Sequence, residues 1–442
     1  VVILVALSGV GCGAERGQDR PNVILISLDT TRRDRLGCYG SDRATSPNLD
    51  RLAKESVLYT KAFAPSSWTL PSHASLFTGK FTTSHGARFD PEGPLCLAGH
   101  LEGSNEYWNR FRARGLAPGE TTIATILRDA DYRTGGIAAG PWLKEVFGLD
   151  QGFDFWDDDQ IGTSNGRLAP QVTDAAIRWV RQVQGDEFFL FANYFDPHFP
   201  YDPPIEFARR FLPDLGKRRR GKKVRREDIN ALYDAEISYM DHHVGRLLDE
   251  IRRLGLYDDA LIVVASDHGE MLGEHGRTGH GNRLFQEEIH IPLLIKYPSG
   301  SVAPGVEDRP IQLTDIMPLI LDRLGIPIPE GIQGTVPPDV AHPLIAEIYP
   351  LDALSEDGET LAILEGDFKY VWNARGNHAL HDLASDPREL VNLIDEEKDR
   401  ARAMESRLSG YLQSLPRPLD GGETQLLDEE TREALENLGY IE

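Results

Sequence analysis

Three short runs of the chain are almost wholly apolar: Val23-Ile-Leu-Ile-Ser-Leu28, Phe188-Phe-Leu-Phe-Ala192 and Leu261-Ile-Val-Val-Ala265. They lack the alternation of a half-exposed strand, and predict parallel strands in a sheet covered on both faces. Each run stops at polar residues. Asp29-Thr30 follows the first, Asp196-Pro-His198 follows the second after Asn193-Tyr-Phe, and Ser266-Asp267-His268 follows the third. Ligands of open α/β sheets bind beyond the carboxyl ends of the strands, so the three endings predict one shared polar site. Helices are expected over residues 46–55, 121–130, 171–184 and 228–254. From about residue 341 the pattern changes to short strands over 361–365, 367–372 and 379–382, the last two joined by a Gly-containing turn at 374–377. A charged helix over 387–415 and a polar tail complete the pattern.

Between the first two runs lies Ala64-Pro-Ser-Ser-Trp-Thr-Leu-Pro-Ser-His-Ala-Ser-Leu-Phe-Thr-Gly79. It reads as a turn feeding a short helix, with Pro71 in the first turn and Gly79 just past the end. The hydroxyl of Thr69 then lies among unpaired backbone N–H groups at the positive end of the helix dipole, which suits a phosphate or sulfate oxyanion. An arbitrary Thr at a helix start is usually only an N-cap, and an Asp-His pair in a loop is usually a solvated turn. Their placement beside the strand ends points instead to one site combining a nucleophile, an anion cradle and a metal.

From Pro21 onward the chain resembles the sulfatase family within the alkaline-phosphatase superfamily. The matching stretches include Pro21-Asn-Val-Ile-Leu-Ile-Ser-Leu-Asp29, Leu36-Gly-Cys-Tyr-Gly40, Ser46-Pro-Asn-Leu-Asp50, Thr69-Leu-Pro-Ser-His73, Gly148-Leu-Asp-Gln-Gly-Phe153, Asp196-Pro-His-Phe-Pro-Tyr201, Ser266-Asp-His-Gly-Glu270, Gly273-Glu-His-Gly276 and Gly279-His-Gly281. The resemblance implies an α/β fold: a mostly parallel sheet sandwiched by helices, with a smaller C-terminal α+β subdomain of antiparallel sheet and helix. Residues 21–340 are expected as the catalytic domain and 341–442 as the subdomain. The resemblance also implies a divalent metal held by Asp29, Asp267 and His268, with the Thr69 oxygen aimed at the same ion. Ca²⁺ is the family default, and Mn²⁺ and Zn²⁺ suit a donor set containing imidazole. His198 and His280 fall at substrate-contacting positions, His280 where the family has Lys. They are expected to bind an ester oxygen or protonate the leaving alkoxide.

The departures from that pattern bear on the chemistry. Thr69 stands where the family has the Cys or Ser that is oxidised to formylglycine, His73 where it has Arg, and Thr30 where it has a second Asp. A Thr cannot give the aldehyde, because its Cβ already carries a methyl group, so its ester must be opened by a second attack at the central atom. Phosphoryl centres undergo that double displacement readily. In this respect the site resembles those of phosphodiesterases, lipoteichoic acid synthases and phosphoethanolamine transferases of the superfamily. His73 is placed to orient or deprotonate Thr69, although a histidine filling a helix surface would read the same way. Glu274 and His275 are expected to shape a loop, and Arg32 to hold an anion or form an ion pair.

A formal charge of −23 over 442 residues argues against nucleic acid as the main partner. One basic run opposes it, Lys217-Arg-Arg-Arg-Gly-Lys-Lys-Val-Arg-Arg226, expected as a solvated loop or as a patch for an anionic polymer or lipid headgroups. The apolar Val1–Leu7 and the small residues before Cys12 resemble a bacterial lipoprotein signal. Residues 1–20 are therefore expected to be a leader and tether, with export to the periplasm or cell surface and membrane attachment through a lipidated Cys12. Cys38 and Cys96 then remain as a disulfide or two free thiols. The segment 95–119 is expected as an irregular insertion at the substrate rim. Three functions satisfy these residues: a metal-dependent hydrolase of small-molecule, glycan or lipid sulfate or phosphate esters; a transferase of phospho-substituents between a lipid or wall polymer and an acceptor; and a non-catalytic relative that binds anionic glycans.

Overall fold

The computed structural model describes residues 20–90, 93–96, 112–162, 166–213, 228–338, 342–349 and 358–419. The leader with Cys12 and the basic run at 217–226 lie outside them. All six residues of the first apolar run are buried in strand β1 (Val23–Leu28). The remaining strands of its sheet are β2 (Val57–Phe63), β3 (Arg133–Ile137), β4 (Phe155–Asp157), β5 (Phe188–Tyr194), β6 (Leu261–Ala265), β7 (His290–Lys296), β8 (Gly305–Glu307) and β9 (Ile311–Gln312). They lie in the order β8-β2-β7-β6-β1-β5-β3-β4, with β9 also paired to β2. β1 is parallel to both β5 and β6, while β7 is antiparallel to its neighbours.

Successive side chains of a strand point to opposite faces, and here both faces are apolar. Val23, Leu25, Phe189, Phe191 and Val263 join one core cluster, with Phe77 from the helix α2 described below. Ile24, Ile26, Leu190, Ile262 and Val264 join the other. The first face is covered by α2 (Thr69–Thr78), α3 (Ile123–Asp129) and α6 (Ile316–Arg323), the second by α1 (Pro47–Ala53), α4 (Ala169–Val183) and α5 (Ile229–Arg253). That double cover is why the three runs carry no alternation.

In register, Ser27 lies between Asn193 and Ala265, so the chain leaves β1, β5 and β6 at one level. The polar residues after each strand therefore converge. Every residue of α2 is buried. Gly79 closes that helix at φ 63°, and a Cβ there would come within 2.8 Å of Ile332, so only glycine fits the turn.

The smaller sheet contains β10 (Leu344–Ile348), β11 (Thr360–Glu365), β12 (Phe368–Asn373) and β13 (Ala379–Asp382) as an antiparallel meander. The first of these strands was not expected from the sequence. The helix α7 (Lys398–Ser414) packs on the sheet through Ala401, Met404 and Leu408. It starts eleven residues after the expected position 387. Between Asp382 and α7, Asp386 accepts from the Val391 N–H, and Asn392 accepts from Leu380 and Ile394. Such side-chain acceptors compete with helical hydrogen bonding. Of the segment 95–119, residues 97–111 lie outside the described residues; at its ends Arg112–Arg114 pairs antiparallel with both Arg88–Phe89 and Leu95–Cys96 in a three-stranded sheet. Cys38 is a free thiol, so the disulfide alternative falls away. Among the described residues no helix is long and apolar enough to cross a membrane.

Phe77 is fully buried against His73, Phe153 and Phe191 beneath the site. Phe77→Ala should cost about 3–5 kcal/mol through lost burial and the cavity left behind. A lowered thermal midpoint would report the loss, whereas Val306→Ser, at a position 71% exposed, should leave the midpoint nearly unchanged.

Candidate active site

β2 runs into a buried Ala64–Ser67 turn and then Trp68, which is extended (φ −156°, ψ 163°) and precedes the first turn of α2 without any side-chain cap. Thr69 is thus the first helical residue rather than the cap, and its hydroxyl is free for other work. Its Oγ1 lies 3.4 Å from Asp29 Oδ2 and 3.5 Å from His268 Nε2. These are long for hydrogen bonds, as expected of groups facing a common point rather than each other.

Asp29, Asp267 and His268 present donor atoms all within 4.8 Å of one another, and all are fully buried. Asp29 Oδ1 and Asp267 Oδ2 have no hydrogen-bond partner. Burial, then the charges of Asp267 and Glu270, push the Asp29 carboxyl well above its ordinary range. Burial likewise raises Asp267 to about 7. Isolated carboxylates in a dry site are strongly unfavourable unless paired or bound to a cation. His268 donates Nδ1–H to the Gly269 carbonyl at 2.8 Å, which leaves Nε2 as a lone-pair donor toward the cluster. Two carboxylates, one neutral imidazole and one hydroxyl fit a divalent cation.

Thr30 sits beside the cluster at φ 51°, an unusual conformation for a β-branched residue. Its N–H donates to Asp267 Oδ1 at 3.2 Å, and its carbonyl accepts from the Tyr233 hydroxyl at 2.7 Å. The surrounding hydrogen bonds hold this strained turn, which directs Asp29 inward.

The four histidines divide by partner. His73 is fully buried rather than on a helix surface. Its Nδ1 donates to the Thr69 carbonyl at 2.9 Å and its Nε2 accepts from the Ser27 hydroxyl at 2.8 Å. Burial pushes it down to about 4. Both ring nitrogens are committed, so His73 braces the Thr69 backbone to β1 and does not serve as base for the Thr69 hydroxyl. His198 stacks on Phe195 with ring centroids 4.2 Å apart and donates Nδ1–H to the Phe199 carbonyl at 2.6 Å. Burial and the adjacent His280 push it down to about 4. His280 lies 4.6 Å from His268 and 5.0 Å from His198 by ring centroids. Its Nδ1 faces Glu270 Oε1 at 3.0 Å. Although burial opposes the charge, this carboxylate raises His280 above the usual histidine range.

Glu270 is the functional residue that sequence reasoning left without a role. It lies in the Asp267-His268 stretch, but only the fold shows it buried against His280. Asn193 was also missed: its Oδ1 accepts from the Ala139 and Gly140 N–H groups and closes the wall beyond β5. Arg32 resolves as a buried ion pair, its guanidinium bonded to Asp34, Glu274 and the Glu270 carbonyl. Glu274 shapes its loop as expected, accepting from the Leu272 N–H as well as from Arg32. His275 stacks on Phe285 at 3.9 Å.

A sulfatase family model matches residues 21–326, and a model described as N-sulphoglucosamine sulphohydrolase, C-terminal, matches residues 273–415. An ulvan-active sulfatase of Formosa agariphila is 28% identical over 85% of this chain and 77% of its own length. An arylsulfatase of Clostridium perfringens is 26% identical over 87% of this chain and 92% of its own. Among solved structures, a phosphonate monoester hydrolase of Agrobacterium radiobacter superposes with a TM-score of 0.69 at 22% identity, covering 89% of this chain and 95% of its own.

Beside His198, Asp196 accepts from the Ala169 N–H at 3.0 Å while its Oδ2 is buried without a partner. Burial raises it from 3.8 to about 7, and the Glu236 carboxyl across from it is also raised, to about 9. The folded chain holds the Asp196 proton more tightly than the unfolded chain does. That stabilisation is complete below pH 4 and lost as pH rises through about 7. Asp196→Asn, which keeps an oxygen acceptor, should gain more thermal stability relative to the parent at pH 8 than at pH 5. Equal differences at both values would show that Asp196 is ionised in the fold.

Proposed function

The chain belongs to the sulfatase family, and on that premise we propose that it hydrolyses anionic sulfuric or phosphoric esters with Thr69 as nucleophile and a divalent cation held by Asp29, Asp267 and His268. The observation that carries this reading is the position of Thr69 Oγ1, which faces both Asp29 and His268 at the first turn of a fully buried helix. A bound divalent cation would supply Lewis-acid stabilisation of the charge that develops on the ester oxygens.

The remaining steps belong to the chain's own groups. The Thr69 hydroxyl gives its proton to Asp29 Oδ2 as its oxygen attacks the central atom. The bond to the leaving alcohol breaks, and that oxygen takes a proton from His280, whose hold on a proton Glu270 strengthens. His198 is neutral near pH 7 and orients the ester instead. Water then gives a proton to the now neutral His280 as it attacks the same central atom, and the departing Thr69 oxygen takes its proton back from Asp29. That second displacement is easier at phosphorus than at sulfur. The Thr nucleophile therefore favours phosphate or phosphonate esters over sulfates, although most of the named relatives are sulfatases. The phosphonate monoester hydrolase likeness agrees with this preference.

The test is turnover of p-nitrophenyl sulfate, phosphate, phosphodiester and phosphonate monoester by metal-stripped protein with Ca²⁺, Mn²⁺ or Zn²⁺ restored. The phosphorus esters should be cleaved faster than the sulfate. Thr69→Ala should lower turnover by on the order of 10³-fold or more, as loss of a nucleophile does. Undiminished turnover by that variant would overturn the nucleophile assignment. Chelation should abolish turnover and also lower the thermal midpoint, because a ligand bound only by the folded state stabilises it by about 2.7 kcal/mol at a hundredfold excess over Kd.

A further inference from the structure

The turn that carries His198 also carries Phe199, whose side chain is 63% exposed. A single exposed phenylalanine is ordinary on a protein surface. Phe199, however, belongs to a bracket that ends at the reacting groups. Its ring meets Tyr201 edge-on, with centroids 5.7 Å apart and planes at 87°. Tyr201 packs on Tyr233 at 5.5 Å, and the Tyr233 hydroxyl donates to the carbonyl of Thr30, the residue after Asp29, at 2.7 Å. The Phe199 carbonyl anchors the His198 ring.

Leu168, 53% exposed, flanks the same turn. Its segment is pinned there because Gly166 presses on the Phe195 ring and the Ala169 N–H donates to Asp196. Arg32, buried nearby, is committed to Asp34 and Glu274 and offers no charge for a second anionic group. The turn that carries His198 therefore presents an exposed phenylalanine seated on a pair of packed tyrosines.

We propose that Phe199 is the specificity-determining platform for the leaving group, stacking on the flat face of a ring alcohol, an aryl or pyranose ring, and selecting esters of such rings over esters of short alkyl alcohols. This rests on the hydrolase reading above. Stacking takes place on the leaving-group side of the scissile bond, so it contributes to binding of the intact ester and not to the anion held by the metal cluster.

The experiment compares full-length wild type, Phe199→Ala and Phe199→Leu, loaded with the activating divalent ion, on p-nitrophenyl, ethyl and choline esters of the same acid. Phe199→Ala should raise KM for the aryl ester about tenfold, the usual worth of one apolar contact in a pocket. It should leave kcat within about twofold, and leave the ethyl ester and inhibition by inorganic phosphate unchanged; Phe199→Leu should fall between. An unchanged aryl KM, or an equal loss on the ethyl or choline ester, overturns the platform. Equilibrium binding of phenyl phosphonate to Thr69→Ala protein, with and without Phe199→Ala, reads the platform without turnover. A tenfold weakening there supports it even if the Thr69→Ala protein still hydrolyses esters, which is the outcome that would instead overturn the nucleophile. Equal binding with and without Phe199 overturns the platform alone.

Discussion

The structure turns on the burial of like charges. Asp29 and Asp267 are fully buried at the ends of adjacent strands, with Glu270 near enough to repel Asp29. Without a compensating cation, carboxyl groups in such a place are driven to protonate. With one, they remain ionised and become ligands. The neighbouring features follow from that requirement. Thr30 bends at φ 51° so that its N–H reaches Asp267, His268 offers Nε2 because Gly269 holds its Nδ1 proton, and the helix start brings Thr69 Oγ1 to the same point.

Around that cluster, hydrogen-bond partners decide what each imidazole does. A carbonyl and a serine hydroxyl make His73 a brace; a carboxylate raises His280 above the usual histidine range. His198, bonded only to a carbonyl and stacked on Phe195, stays neutral. The family places Arg and Lys where His73 and His280 stand, and the two replacements are not equivalent. Glu270 raises His280 above the usual histidine range, whereas burial pushes His73 down to about 4. The site thus holds less fixed positive charge than the family pattern implies, and an anion bound there would depend more on the N–H groups of α2 and on a cation held by Asp29, Asp267 and His268.

Much of this was legible in the sequence because apolar runs and strand-end residues are local signals. Val23–Leu28 had to be covered on both faces, and Asp29, Asp196 and Asp267-His268 had to emerge at one edge. The short helix closed by Gly79 was readable for the same reason. What sequence did not show depends on contacts far apart in the chain. The role of His73 is set by Ser27, 46 positions earlier, and cannot be told from a surface histidine by spacing. Glu270 looks like any acidic loop residue until burial against His280 is seen. The start of α7 was misplaced because Asp386 and Asn392 favour turns that composition alone reads as helix. β10 was missed because its pairing partner, β11, begins twelve positions after it ends, so no short hairpin signal marks the pair.

The smaller sheet contributes to the site by fixing what lies behind it. Glu347 in β10 accepts from Thr83, just past α2, and its N–H donates to the Pro65 carbonyl just before Trp68. Gln312 at the end of β9 exchanges two bonds with the Ile345 backbone. Lys369 in β12 pairs with Glu389, and Glu389 in turn accepts from the Gln286 N–H below the His280 loop. The meander therefore grips both the segments that flank α2 and the loop that carries His280. The proposed reaction, which needs Thr69, Asp29 and His280 held at once, would gain from such anchoring, since small displacements of reacting groups are costly to rate. The strongest constraint on the site is electrostatic, and the second sheet is what keeps the groups that answer it in place.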